Sequence, residues 1–226
     1  MNRYSCCQRS LLISLLLFFC LPTTGCFLWS DSPAKLTALI EAPTTPEFSI
    51  LSSAMENYDS GLFTASRDSW MELRDGYPHS PFVELAELKI ADSFFYSQDY
   101  KTAVSAYNDF QQYHKHHEAI PYVLLQIGSA HKLQYKSPMH DQTPLHEAVA
   151  AFKQLVSQFP KHELSPIAKD EIKSCQTLLA QHERQVAEFY EKLGHEKASK
   201  RRYSTLRKRY KNTEIARNER RSISAR

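Results

Sequence analysis

Between Pro81 and Tyr113 the apolar residues fall three and four positions apart in two runs. Phe82, Leu85, Leu88, Ile90, Ala91, Phe94 and Phe95 form the first run, and Tyr100, Ala103, Val104, Tyr107, Phe110 and Tyr113 the second. Such spacing predicts two helices, each with one wide apolar face. The Ser97-Gln98-Asp99 link between them is so short that the helices must pack antiparallel. Pro81 suits a first helical turn, where its missing N–H has no partner to lose. One hairpin cannot bury both of its faces, so the pattern predicts neighbours of the same kind.

Those neighbours can be read by aligning a small residue near the start of each second helix: Ala65, Ala103, Ala148 and Ala198. Trp70 and Leu73, Tyr107 and Phe110, and Phe152 and Leu155 follow the first three. Tyr77-Pro78 and Phe159-Pro160 end two of the units, since proline cannot continue a helix. The alanines lie 38, 45 and 50 residues apart (65 to 103, 103 to 148, 148 to 198). The wider gaps are expected to hold an insertion at Lys136 to Pro144 and a long helix from Ser165 to Leu193. Gly128 sits where two helices are expected to meet closely.

The N-terminus follows a different pattern. Arg3 and Arg9 flank an apolar run from Leu11 to Leu21, too short to span a bilayer but suited to a signal peptide. Thr24-Gly25-Cys26 resembles the lipobox of bacterial lipoproteins, with Thr23 where leucine is usual. That resemblance implies cleavage before Cys26 and acylation of its thiol and amino group, a stable anchor when more than one chain is attached. Ordinary secretion with cleavage nearby, or a retained N-terminal helix, are the alternatives. Pro33, Pro43 and Pro46 among Ser and Thr give residues 26–48 linker composition. The expected divisions are thus 1–25 signal, 26–48 tether, 49–211 helical repeats and 212–226 a basic tail.

Charge separates the body from its end. Residues 197–226 carry twelve Lys or Arg against Glu214 and Glu219, a net of +10. With +3 for the whole chain and +2 in the signal, residues 26–196 are left at −9. A basic end on an acidic body suits an acidic partner or anionic lipid, or is a solvated terminus. Nucleic acid is not expected for an exported chain. Of five Cys, only Cys175 lies in the helical body, as a small buried hydrophobe in a helical pattern. His114, His116, His117, His131, His140 and His146 match no paired-ligand spacing and read as loop and surface residues. No nucleophile elbow or phosphate-cradling loop is present, and Gly numbers only five. The chain therefore reads as a non-enzyme needing no cofactor. A His-based metal hydrolase is the rival from another class.

The repeats are similar to the tetratricopeptide family, which implies an all-α solenoid of about four hairpins. Lipobox, proline-rich tether, YPHSP, PYVLLQIG, LHEAVAAFKQLVSQFP and AEFYEKLG occur in the order seen in the BamD family of outer-membrane β-barrel assembly lipoproteins. The resemblance covers residues 26–212. It implies a lipid-anchored scaffold on the periplasmic face of the outer membrane, with the BamA-type barrel protein and the C-terminal signals of unfolded outer-membrane proteins as partners. The family's groove positions fall on Asn57, Tyr58, Asp92, Tyr96, Tyr122, Ser129 and Lys132. Its partner-facing end falls on Tyr190, Arg201, Arg202, Arg207 and Arg209. The chain departs from the family after Tyr210, where a fifth repeat is expected and Lys211 to Arg226 show little apolar periodicity. A shortened variant and a changed reading frame are both open. A periplasmic repeat scaffold for envelope division or peptidoglycan coordination is the alternative in the same class.

Overall fold

The computed structural model describes residues 45–224, so the signal, Cys26 and nearly all of the tether lie outside the described residues. Helices follow one another throughout: α1 (Pro46–Asp59), α2 (Phe63–Gly76), α3 (Val83–Tyr96), α4 (Tyr100–Tyr113), α5 (Ile120–Leu133), α6 (Thr143–Gln158), α7 (Leu164–Lys192), α8 (Glu196–Arg209) and α9 (Glu214–Ser224). No strand occurs among the described residues. Each helix packs on the next, and α1–α2, α3–α4, α5–α6 and α7–α8 form four successive antiparallel hairpins.

The first helix starts inside the stretch read as tether. Thr45 caps it by accepting the Phe48 N–H at 3.4 Å, and Pro46 takes the first helical turn. Thr-Pro counts as linker composition, yet the same pair is a helix start when apolar periodicity follows it.

Three hairpin turns share one geometry. In each, a residue with positive φ follows the first helix: Gly61 (74°), Gln98 (64°) and Gly194 (73°). Its N–H bonds three residues back, and the next residue's N–H reaches five back: Leu62 to Asn57, Asp99 to Phe94, His195 to Tyr190. This paired cap satisfies carbonyls that the helix end would otherwise leave bare. The α5–α6 turn differs, spanning residues 134–142, and is tied internally. The Gln142 side-chain amide donates to the carbonyls of Ser137, Pro138 and His140 at 3.1, 3.3 and 2.7 Å.

The second helices repeat in a register one residue off the alanine alignment at both ends. The buried small residues are Ser66, Ala103, Ala148 and Ser199, whereas Ala65 is exposed. Four residues on come Trp70, Tyr107, Phe152 and Tyr203, and seven on come Leu73, Phe110, Leu155 and Leu206. Serine fits the first position because its hydroxyl finds a partner: Ser66 Oγ donates to the Ala54 carbonyl at 2.9 Å. Gly128 is required by the same packing, since a Cβ there would come within 2.4 Å of the Phe152 ring.

Each second helix also ends alike. Tyr77, His114, Phe159 and Tyr210 donate their N–H groups to Leu73, Phe110, Leu155 and Leu206. The N–H groups of Ser80, His117, His162 and Thr213 then return to the carbonyls of Tyr77, His114, Phe159 and Tyr210. The fourth of these connectors leads into α9, where Ala216 is buried against α7 and α8. The stretch set apart as a basic tail therefore contains a packed helix with the entry of a further repeat. Its apolar residues are few, Ile215, Ala216 and Ile223, which is why periodicity did not reveal it.

Buried apolar residues fall into two clusters. One gathers Leu51, Ala54, Trp70, Leu73, Ala86 and Ile90 from α1 to α3. The other runs from Ala91 through Tyr107, Phe110, Phe152 and Leu206 to Ala216, and half-buried Phe94 packs on both. Cys175 belongs to the second, and burial pushes its thiol up to about 11.

Candidate peptide groove and partner face

Asp92, on α3, is 2% exposed and accepts four hydrogen bonds. Tyr107 and Tyr122 hydroxyls donate to Oδ1 at 2.7 and 2.9 Å. Tyr58 hydroxyl and Lys89 Nζ reach Oδ2 at 3.3 and 3.2 Å. Three hairpins meet at this carboxylate, since Tyr58 comes from α1, Tyr107 from α4 and Tyr122 from α5. The arrangement satisfies a buried charge, which would otherwise be strongly unfavourable. Burial first, and then the Asp92 charge, hold all three tyrosine hydroxyls well above their ordinary range. They remain neutral donors.

Aromatic rings open outward from this centre. Lys89 Nζ lies 4.0 Å from the centroid of the Tyr58 ring. Tyr58 meets Tyr96 edge-on at 6.0 Å, and Tyr96 stacks on Phe63 at 5.2 Å. Tyr96 is 45% exposed and Leu62 57%, beside a cleft of about 480 Å³ lined in part by Leu62, Phe63, Ala65 and Ser97.

Four of the seven groove residues expected from the sequence thus come together: Tyr58, Asp92, Tyr96 and Tyr122. Asn57 bonds Ser53 within its own helix at 3.4 Å. Ser129 and Lys132 lie further along α5. Ser129 Oγ donates to the Leu125 carbonyl at 2.8 Å, and Lys132 Nζ pairs with Glu171 of α7 at 2.5 Å. Lys89, Phe63 and Tyr107 complete the site and were not foreseen in that role. Tyr107 and Phe63 carry only a core signal in sequence, and Lys89 sits on a helix face like any solvated lysine.

The expected partner face is less united. Arg202 Nη1 pairs with Glu183 at 3.3 Å, and Glu183 is 10% exposed. Arg209 lies 5.9 Å from the ring of Tyr210. Arg207 borders a cleft of about 580 Å³ with Glu191, Ser199, Tyr203 and Glu219. Tyr203 donates to Glu191 at 3.1 Å, and its hydroxyl is pushed up to about 12 by burial and then by that carboxylate. Tyr190 packs edge-on against Phe189 and His195. Arg201 is exposed and has no ion pair among the described residues.

Two of the histidines sit at the joint between α4 and α5. His114 lies between Glu87, at 2.5 Å from Nε2, and Glu84, at 3.3 Å from Nδ1, and His117 is 3.5 Å from Glu84. Among the described residues no group of three or more His, Cys, Asp or Glu side chains is arranged to hold a metal ion.

Residues 43–222 match the family described as YfiO: Outer membrane lipoprotein. The outer membrane protein assembly factor BamD of Vibrio cholerae serotype O1 is 24% identical over 185 residues, covering 77% of each chain. The crystal structure of MamA protein aligns over 71% of this chain and 90% of its own, at 12% identity and a TM-score of 0.35. With four fifths of its length matched by the family, the chain belongs to the YfiO family of outer membrane lipoproteins.

Proposed function

We propose that this protein is a non-catalytic scaffold of outer-membrane protein assembly, anchored through acylated Cys26 at the periplasmic face of the outer membrane. Its aromatic group around Tyr58, Phe63 and Tyr96 receives the extended C-terminal segment of an unfolded barrel protein. The end of the array, with Tyr190, Arg201, Arg202, Arg207 and Arg209, meets the periplasmic domain of a BamA-type barrel protein. The observation that carries this reading is the open aromatic surface held over a satisfied, buried Asp92. Tyrosine presents a large apolar area with few rotamers to freeze, which suits a site that accepts many peptides of one type. The named relative, an outer membrane protein assembly factor, supports the same reading.

Affinity capture from detergent-solubilised envelopes at low salt tests it. The large barrel protein is expected in the eluate, and its absence ends the assembly reading. A peptide ending in an aromatic residue is expected to bind the purified chain, with Tyr96→Ala lowering its affinity about tenfold through loss of one aromatic contact. Unchanged affinity removes Tyr96 from the groove.

A further inference from the structure

We propose that the outward faces of α8 and α9 form an electrostatic contact surface for anionic phospholipid headgroups. Ser199, Leu206 and Tyr210 turn one side of α8 into the core, and Tyr203 packs beside them. Lys197 and Lys208, at positions i and i+11, share the opposite side and are exposed; Arg201, exposed between them, is left to the barrel-protein contact. On α9, Ala216 is buried, and Arg217 and Arg221, four residues apart, are exposed. None of the four cations of this face has an ion pair among the described residues. The neighbours that do are accounted for: Lys200 pairs with Glu196, and Arg202 with Glu183. Arg220 donates to the Lys211 carbonyl at 2.9 Å. Glu214 is the acid that shares the exposed side of α9.

The character of this face decides its partner. Tight protein interfaces centre on buried aromatic or apolar anchors with a desolvated pocket. Here the apolar side of α8 is already covered, and what faces outward is long, flexible and cationic. Such a face reads charge density without fixed geometry, which a headgroup layer supplies. Membership of an outer membrane lipoprotein family puts such a layer within reach. The −9 of residues 26–196 keeps the rest of the protein away from an anionic surface and so orients the contact.

The test uses the full mature chain with Cys26→Ser, so that no acyl group contributes, and co-sedimentation with vesicles. Binding is expected to phosphatidylcholine vesicles containing phosphatidylglycerol, to weaken with added salt, and to be absent with phosphatidylcholine alone. Lys197→Gln, Lys208→Gln, Arg217→Gln and Arg221→Gln together should lower affinity by about fivefold for each charge removed. Lys101→Gln with Lys153→Gln should leave it unchanged. If the fourfold variant does not keep the helical circular dichroism of the parent, the α8 pair and the α9 pair are measured separately. Equal binding to both vesicle types, or undiminished binding by the variants, overturns the proposal. So does loss of barrel-protein capture with vesicle binding intact, which would assign the face to an acidic protein domain.

Discussion

Asp92 is the residue on which the groove depends, although its oxygens are already engaged by the protein. Asp92→Ala leaves three tyrosine hydroxyls and Lys89 facing a vacated site, and should cost about 3 kcal/mol of stability, read as a lower urea midpoint. Tyr122→Phe should cost about 1.5 kcal/mol, the usual worth of a hydrogen bond to a charged group. Substituting Tyr122 therefore confounds stability with peptide binding, whereas exposed Tyr96 is a cleaner probe of the groove. The raised tyrosines also set an alkaline limit. Their ordinary value is 10.0 and burial holds them above it, so the unfolded chain releases these protons first. Their contribution is complete below 10.0 and is lost as pH climbs from there toward the folded values. The urea midpoint should begin to fall above about pH 10 and go on falling as pH rises further, and less so in Tyr107→Phe measured against its own neutral-pH value.

Helices and hairpins were legible because apolar spacing and short turns are local. The long α7 and the wide α5–α6 turn were readable as departures from an otherwise regular spacing. Register was harder: Ser66 and Ser199 occupy the small-residue position, and a buried serine, such as Ser66 with its hydroxyl on the Ala54 carbonyl of another helix, leaves no mark in the hydrophobic pattern. Gln98 shows a related conflict. It takes the left-handed conformation that Gly61 and Gly194 fill in the equivalent turns, where a side chain costs about 1–2 kcal/mol. Gln98→Gly should raise stability by about 0.5–1 kcal/mol, after allowing for the greater freedom of glycine in the unfolded chain. Gly128→Ala should act in the opposite sense, by about 1–3 kcal/mol, because Phe152 is fixed between helices and cannot retreat.

At the scale of the whole molecule, periodicity gave the order of the hairpins, but not what joins the first to the second. The groove positions came from family resemblance, and the contacts that make them a site span up to 38 residues of sequence, from Tyr58 to Tyr96. No local pattern encodes such a meeting. The apolar core is divided near Ile90 and Ala91, with Phe94 packed on both parts. Across that division the four-bonded carboxylate acts as a bolt, so that α1 and α2 share the fate of the helices behind them. Without it, the first hairpin should open on its own. Hydrogen exchange of Asp92→Ala should then show α1 and α2 amides taking up deuterium well ahead of those in α5 and α6, where the parent protein shows a smaller difference. Beside the apolar contact of α3 and Phe94 with the first hairpin, one carboxylate thus ties the part nearest the tether to the rest of the array, and a peptide lying across the aromatic rings would tighten the same joint.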